Sequence, residues 1–327
     1  MNYAPEVSIG IPVYNGQSYL SELLGCLLEQ SFQNFEIVIS DNASTDRTSE
    51  ICADYVGRDT RIRYSRNERN IGAAKNFNRV FELTGAPYFK WTAHDDLYEP
   101  TYLERCLDAI KHSPEVVLCH SGVRFVDNDG CRLQYDGNRQ CYVNDRGGVF
   151  LPPNAQWAME TLTPLHLAEG HSPPSRFHDA VHRIASCTQI FGIIRRHALC
   201  RSSLIKSYYG SDKAVLAELA LMGRFHQVED QLFAKRCHSE MSFSLSPQQK
   251  ARWIDPDAHR SLTHLSLFPV RLFFDYMKAV IRADTLSSYQ RIVCFGVVAS
   301  KVVRARLWGR IFRGFTRRVF GTFFKHV

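Results

Sequence analysis

Short apolar runs alternate with segments of helical periodicity through the first 126 residues, and this alternation restricts the chain to few fold classes. The run Val7–Val13 is rich in β-branched residues and is followed by Tyr-Asn-Gly, as expected of a buried strand that ends in a turn. We predict strands at Val7–Val13, Phe35–Ser40, Ile62–Ser65, Tyr88–Thr92 and Val116–Val126, and helices at Tyr19–Leu28, Thr48–Val56, Ala73–Leu83 and Tyr102–Ile110. Such alternation predicts an α/β fold with a mostly parallel sheet.

The pattern stops after the fifth predicted strand. Gly, Pro and polar residues dominate from Asp127 to about Ala185, which predicts a long irregular segment of functional importance. Order returns with a predicted strand at Ile190–Ile194, a helix at Asp212–Leu221 and a strand at Leu232–Cys237. Because the character changes again after His238, we divide the chain into an α/β domain, residues 1–246, and a basic helical extension, residues 247–327.

Composition excludes several classes of protein. The 327 residues are 45% hydrophobic and 22% charged, which is typical of a globular chain with a sizeable core. The ten cysteines are scattered without a CxxC pair, which favours reduced core thiols over disulfides or a zinc ribbon. The amino terminus lacks signal-peptide character, and no apolar run reaches the roughly 20 residues of a membrane span. We therefore expect a cytoplasmic protein.

The net charge of +7 is concentrated at the carboxyl-terminal end. Residues 268–327 hold 12 Lys and Arg against two Asp, an excess of +10, which leaves −3 for the preceding residues. From Val303 onward, apolar residues recur every four positions with Arg on the opposite arc, which predicts an amphipathic basic helix. Its apolar side either lies on an anionic membrane or packs on the α/β body. No nucleic-acid motif accompanies the charge, so we expect no nucleic-acid partner.

Polar residues follow the predicted strands where an open parallel sheet binds its ligands, beyond the carboxyl ends of the strands. Asp41 and Asn42 follow the second strand, and His94-Asp95-Asp96 follow the fourth. The adjacent carboxylates suit Mg²⁺ or Mn²⁺, which bridge protein carboxylates to substrate phosphates. The sequence contains neither GxGxxG nor GxxxxGK[ST], which argues against dinucleotide-binding and P-loop sites.

Four sequence elements resemble those of the inverting family-2 glycosyltransferases, enzymes of the GT-A fold that transfer sugars from nucleotide-diphosphate donors. They are Val7–Asn15 (VSIGIPVYN), Ile39–Asp46 (ISDNASTD), Asn70–Asn76 (NIGAAKN) and His94–Asp96 (HDD). They occur in the family's order, each on its expected strand or loop. The resemblance covers about residues 5–126, with a looser match from Ile190 to His238, and implies an enzyme of bacterial cell-surface polysaccharide synthesis.

The resemblance implies a nucleotide-binding site at the first two strand ends. It places Pro12, Tyr14 and Asn15 along the nucleotide and gives Asp41 the base, usually uracil. Asn42, beside Asp41, belongs to the same expected donor site. The donor is therefore expected to be a nucleotide sugar, most often linked to UDP.

The resemblance also implies a metal and diphosphate site, with Mn²⁺ or Mg²⁺ as the cofactor. Asp96 is the expected principal metal ligand, and Asp95 is expected to touch the ribose or a metal-bound water. His238 is a further candidate metal ligand or leaving-group donor. Arg236 and Lys75 are candidates for contact with the diphosphate, Arg236 through a bidentate interaction.

Asp212 is the expected general base, because the family places its base in this region of the chain. A competing interpretation is that Asp212 caps the predicted helix, an interaction worth about 1 kcal/mol. Glu218 on the same helix and Asp230 near the last strand remain alternative bases.

These expectations combine into metal-dependent inverting transfer of a sugar from a nucleotide-diphosphate donor to a hydroxyl of a glycan or lipid-linked glycan. The basic extension would bring the enzyme to the inner face of the cell membrane. A catalytically silent nucleotide-sugar-binding or membrane-scaffold protein is the main alternative. A sugar-nucleotide pyrophosphorylase would need a Gly-rich basic first loop that this sequence lacks, and a phosphohydrolase would need more metal ligands.

Overall fold

A central β-sheet organises the computed structural model, which describes residues 4–150, 165–242, 244–257 and 268–303. Its strands are β1 (Val7–Val13), β2 (Phe35–Asp41), β3 (Ile62–Arg66), β4 (Tyr88–Trp91), β5 (Leu97–Tyr98), β6 (Val116–Val126), β7 (Arg132–Asp136), β8 (Cys141–Val143), β9 (Val149–Phe150), β10 (Ile193–Arg195) and β11 (Arg224–Arg236). Their order is β3-β2-β1-β4-β10-β6-β7-β8-β9, with β11 paired to β6 and β5. β1, β2, β3 and β4 are mutually parallel, and β10 runs antiparallel between β4 and β6. The predicted α/β class with a mostly parallel sheet is confirmed.

Helices cover both faces of the sheet. They are α1 (Leu20–Leu28), α2 (Thr48–Arg58), α3 (Ala73–Glu82), α4 (Tyr102–Lys111), α5 (Pro173–His182), α6 (Arg196–Cys200), α7 (Asp212–Met222), α8 (Pro247–Ile254), α9 (Phe268–Arg282) and α10 (Ser288–Val303). One buried apolar cluster unites α1 and α4 with one side of the sheet, and a second unites α3, α5, α7, α9 and α10 with the other. Every residue of β1 is buried, because both faces of a parallel sheet are covered.

The structure corrects the predictions made for the second half of the chain. The segment predicted to be irregular, residues 127–185, contains β7, β8, β9 and α5. The strand predicted at Ile190–Ile194 is a 3₁₀ turn over Thr188–Phe191 followed by the short β10. β11 begins eight residues before its predicted start at Leu232. Its first half contains His226 and Gln227, and the bulge after Val228 breaks the apolar alternation that identifies a strand.

The described part of the carboxyl-terminal extension packs on the α/β body. Leu272, Tyr276 and Val280 of α9 and Cys294 and Val298 of α10 are buried in the same apolar cluster as α7. The boundary predicted at residue 247 therefore does not interrupt the buried core. The amphipathic helix predicted from Val303 onward lies outside the described residues, apart from its first residue. No helix within the described ranges is both long and apolar enough to span a membrane.

Candidate active site

The loops that follow β1 and β2 interlock at the carboxyl edge of the sheet. Asn15 and Ala43 adopt positive φ angles of 54° and 60°, which are costly for residues other than glycine. The Asn15 backbone N–H donates to Ser44 Oγ at 2.9 Å, and the Thr45 N–H donates to Asn15 Oδ1 at 2.8 Å. These reciprocal bonds hold both strained turns in place. Tyr14 is 42% exposed next to these turns.

Asp41 lies at the end of β2 and is completely buried. One carboxylate oxygen accepts the Ser44 N–H at 2.8 Å, and the other accepts the Tyr64 hydroxyl at 2.7 Å and the Arg66 guanidinium at 3.1 Å. Burial, followed by the hydrogen bond to Asp41, raises the pKa of Tyr64 to about 12. Contact between Asp41 and a nucleotide base therefore requires one of these donors to move.

Tyr64 and Arg66 belong to the site although no sequence motif indicates them. Both lie on β3, and Arg66 is the register partner of Asp41 in the parallel pairing of β2 with β3. The Arg66 side chain is 43% exposed, which presents a cation at the same edge as Tyr14. The register of the β2–β3 pairing could have identified them, because it places the end of β3 beside Asp41.

A network of amide side chains connects the end of β2 to the start of α3. Asn42, 2% exposed, accepts hydrogen bonds from Asn67 Nδ2 and from the Ile71 N–H, and it donates to Asn70 Oδ1 at 2.9 Å. Asn67 also donates to Asn76 Oδ1. Asn42 is therefore buried inside this network, with its side chain bonded to the protein. Lys75, in the first turn of α3, is exposed.

Asp95 and Asp96 lie between the end of β4 and β5. Asp96 is 3% exposed and accepts the Arg236 backbone N–H at 3.1 Å, while Asp95 Oδ2 lies 2.9 Å from His238 Nε2. Burial and the adjacent charge of Asp95 raise the pKa of Asp96. Burial alone would raise the pKa of Asp95 as well, but the bond to His238 and the nearby side chains of His94 and Lys235 lower it.

The Arg236 side chain is committed to the protein rather than to a ligand. It is 1% exposed, and its Nε donates to the Asp95 carbonyl oxygen at 2.9 Å. Its terminal nitrogens donate to the carbonyl oxygens of Asp127 and Asn128 and to Glu22. The geometry does not support the expected diphosphate contact, because these bonds occupy the guanidinium. Arg236 instead anchors the carboxylate pair.

Asp95 and Asp96 offer carboxylate oxygens, the ligand type that hard divalent cations prefer. Among the residues that the structure describes, however, no group of three His, Cys, Asp or Glu side chains could hold a metal ion. Mg²⁺ and Mn²⁺ commonly bind one or two protein carboxylates together with substrate phosphates. The mutual repulsion that raises the pKa of Asp96 is what a bound cation would relieve.

The three candidate bases occupy different environments. Asp212 is the first residue of α7, half-buried, and its carboxylate accepts the Lys213 N–H at 2.9 Å, with Ser211 in the cap position. Glu218 is buried on the same helix and accepts the Ser203 N–H at 2.6 Å, in a small pocket that α9 helps to line.

Asp230 is exposed in the bulge of β11 and forms an ion pair with Arg105 of α4 at 2.8 Å. Neither Glu218 nor Asp230 contacts the strand-end loops through these bonds.

Helix α8 packs between the start of α3 and the segment that leads to Asp212. A Cβ atom on Gly72, at the start of α3, would lie 2.6 Å from the Ile254 carbonyl oxygen, so the two backbones are in close contact. At its other side, the Trp253 ring lies 6.4 Å from the ring of Tyr209, three residues before Asp212. Tyr209 also hydrogen-bonds Ser242, which follows His238 by four residues. Helix α8 therefore contacts both the start of α3 and the segment that precedes Asp212.

A cavity of about 540 Å³ adjoins His238. It is lined by polar and apolar residues of the β6–β7 turn, the β8–β9 hairpin and the segment after β11, among them Asp127, Asn128, Asn144 and Ser239. Its volume lies within the range of small-molecule binding sites.

The sheet order and the polar site beyond the strand ends define a GT-A type fold, and solved structures show the same fold. The TarS fragment 1–349 of S. aureus, solved with UDP-GlcNAc, superimposes with a TM-score of 0.53 at 17% identity over 96% of this chain and 74% of that one. The mannosyltransferase PcManGT of Pyrobaculum calidifontis, solved with GDP-Man and Mn²⁺, gives 0.53 at 13% identity over 98% and 88%.

Sequence comparison matches part of the chain to one family. Residues 8–160, slightly under half of the chain, match glycosyl transferase family 2. An uncharacterized glycosyltransferase of Rickettsia typhi is 31% identical over 152 residues, 46% of each chain. The glycosyltransferase GlyG of Streptococcus pneumoniae is 28% identical over 124 residues, 38% of this chain and 41% of that one. The chain thus spans less than half the length of these relatives.

Proposed function

We propose that this protein transfers a sugar from a nucleotide-diphosphate donor, a UDP-sugar in view of the family, to a hydroxyl of a glycan or lipid-linked glycan, with inversion and with help from Mn²⁺ or Mg²⁺. The observation that carries the proposal is the contact of Asp95 with His238, next to the buried Asp96, where the His238 ring also lies 5.1 Å from the ring of Tyr19 in the segment after β1. The complexes of TarS with UDP-GlcNAc and of PcManGT with GDP-Man and Mn²⁺ support it by analogy.

Each part of the site has a proposed role in the reaction. Tyr14 and Asn15 line the nucleotide, Asp41 orients the residues that meet the base, and Lys75 lies toward the diphosphate. Asp96 would be the principal protein ligand of the cation, with the donor phosphates supplying further ligands. When bound, the cation supplies Lewis-acid neutralisation of the leaving diphosphate.

Asp212 is the proposed general base. Its carboxylate takes the proton of the acceptor hydroxyl as the acceptor oxygen attacks the anomeric carbon and the bond to the diphosphate breaks. Arg236 acts indirectly, because its contacts fix the backbone and carboxylate of the metal-site loop.

The first test is calorimetric titration with UDP, GDP, dTDP and CDP, each with and without Mn²⁺. We expect one nucleotide to bind in a Mn²⁺-dependent manner, and Asp96→Asn to weaken that binding by about tenfold or more, or about 1.4 kcal/mol. Asp230→Asn is the matched control, because it removes an exposed carboxylate on the same strand, β11, that carries Arg236. Equal binding by wild type and Asp96→Asn would refute the metal-site assignment.

The second test separates binding from turnover. Asp212→Asn should retain nucleotide binding and lose about 10²- to 10⁴-fold in turnover, the range of a general base. Loss of folding in this variant would instead favour the helix-terminus role of Asp212. Donor binding without donor consumption by the wild-type protein would indicate the catalytically silent alternative.

We further propose peripheral contact with the inner face of the cell membrane through the basic carboxyl-terminal part of the chain. The excess of Lys and Arg after residue 268 supports it. So do four exposed apolar side chains on or near α9 and α10, namely Phe274, Ile281, Tyr289 and Ile292.

A further inference from the structure

Asp275 on α9 makes two buried contacts with the segment that leads into α7. Asp275 is 6% exposed, and its Oδ2 accepts the Tyr208 hydroxyl at 2.5 Å. Its Oδ1 lies 2.7 Å from Lys206 Nζ. Tyr208 and Lys206 both belong to residues 205–211, which immediately precede Asp212 and are called the base loop below. A residue of the carboxyl-terminal extension thus holds the loop that presents the proposed base.

Other contacts also restrain the base loop, at its two ends and, through the packing of Tyr209 near Trp253 of α8, close to its centre. At the start, Asn78 of α3 exchanges two hydrogen bonds with the Ile205 backbone, at 2.8 and 3.0 Å. At the end, Ser211 Oγ donates to the Lys206 carbonyl oxygen and accepts the Lys206 N–H. Gly210 has a φ of 88°, and a Cβ atom there would meet the Phe268 ring of α9 at 2.7 Å.

The Asp275 contacts are strong restraints because they are buried. A buried carboxylate is tolerated when a cation and hydrogen bonds compensate it, and removal of one partner leaves an uncompensated group. Burial, followed by the bond to Asp275, raises the pKa of Tyr208, which keeps the hydroxyl protonated as the donor. The loop is therefore tied to α9 by a charge-assisted bond as well as by an ion pair.

We propose that Asp275 is a positioning residue that, through Tyr208 and Lys206, sets the orientation of the Asp212 carboxylate toward the acceptor. This inference rests on the proposed role of Asp212 as the base. It assigns part of the catalytic geometry to a helix that lies outside the residues matching glycosyl transferase family 2, which end at 160. The carboxyl-terminal extension then serves turnover as well as any membrane contact.

The test compares Asp275→Asn and Tyr208→Phe with wild type. We expect each to lower kcat by roughly tenfold to a hundredfold, the cost of a small displacement of a reacting group, while the KM for the donor and the affinity for its nucleotide stay within about twofold. Asp284→Asn is the matched control. It breaks an exposed ion pair to Arg201, also between the carboxyl-terminal helices and the body, and should leave kcat unchanged.

A double-variant cycle distinguishes positioning from a general loss of structure. In the Asp212→Asn background, Asp275→Asn should cause little further loss, since both changes disable the same group. Independent, multiplicative losses, or unchanged kcat in both single variants, would overturn the inference. If Asp275→Asn does not fold, Tyr208→Phe, which removes a single oxygen, carries the test. Full activity of Asp212→Asn would instead refute the proposed base.

Discussion

At the residue scale, buried polar side chains determine the geometry of this site. Lys90 on β4 is fully buried, and its Nζ donates to the Phe191 carbonyl oxygen at 2.6 Å and lies 3.7 Å from the centre of the Tyr98 ring. Burial lowers its pKa well below the ordinary value. Lys90 therefore links β4, a few residues before Asp95 and Asp96, to the turn that precedes β10.

His120 on β6 is a buried titratable side chain whose effect on stability can be measured. Its Nδ1 lies 3.0 Å from the Ser121 carbonyl oxygen, its Nε2 has no hydrogen-bond partner among the described residues, and burial lowers its pKa from 6.5 to about 4. The unfolded chain therefore binds a proton below pH 6.5 that the folded protein accepts only near pH 4. The contribution of neutral His120 to the stability of the folded protein is fully present above pH 6.5 and is lost as the pH falls toward 4.

We predict that His120 makes the protein less stable by about 1 kcal/mol when the pH falls from about 7.5 to about 5.5. His120→Gln should remove this part of the pH dependence. Urea unfolding at the two pH values measures it, with His197→Gln, which removes an exposed histidine, as the control. An unchanged pH dependence in His120→Gln would show that His120 is not held neutral.

At the element scale, the close approach of α8 to the start of α3 closes one side of the site. Gly72 has a φ of 86°, and a Cβ atom there would lie 2.6 Å from the Ile254 carbonyl oxygen and 2.7 Å from Pro256 Cδ. Only glycine adopts this conformation and permits this contact without strain. The NIGAAKN element thus provides a packing surface for a helix that begins 175 residues later, at Pro247.

Gly72→Ala should therefore separate α8 from α3. We expect a loss of about 1–3 kcal/mol in the free energy of unfolding and weaker nucleotide binding, because backbone strain and overpacking coincide. Gly57→Ala is the control, since Gly57 lies within α2 and a Cβ atom added there would meet no other atom within 4 Å. Denaturant unfolding and calorimetry measure both effects, and equal behaviour of the two variants would contradict the close-packing argument.

At the scale of the whole molecule, the carboxyl-terminal helices combine a buried side with an exposed one. Tyr276 and Val280 face the core, whereas Phe274 and Ile281 on the same helix are 55% and 60% exposed. Lys278, which lies between Phe274 and Ile281 in the sequence, is exposed as well. This arrangement suits contact with an anionic surface by apolar and basic groups together.

We predict sedimentation of the protein with anionic vesicles, weakening as salt is raised, because each Lys or Arg near the surface contributes about 1 kcal/mol. The double variant Phe274→Ser, Ile281→Ser should bind less. Val56→Ser is the matched control, since Val56 is an exposed apolar residue on α2. Equal binding to neutral and anionic vesicles, or no binding to either, would contradict the proposed membrane contact.

The sequence alone predicted the amino-terminal half well. The alternation of strands and helices from Val7 to Val126 is a local signal, and the structure reproduces it to within one or two residues at each boundary. The strand-end motifs follow from the same signal, because the carboxyl ends of parallel strands share an edge. Where polar residues enter a strand, as at His226 in β11, the local signal failed.

Only the tertiary structure decided which of the candidate residues remain available to a ligand. Arg236 has the sequence character of a phosphate ligand, but its donors are used by Glu22 and by backbone oxygens more than 100 residues away. No local sequence motif identifies Asp275, yet its contacts with Tyr208 and Lys206 hold the loop before Asp212. Such roles depend on how distant elements pack, and hydrogen-bond partners become fixed only when burial removes water as the competing partner.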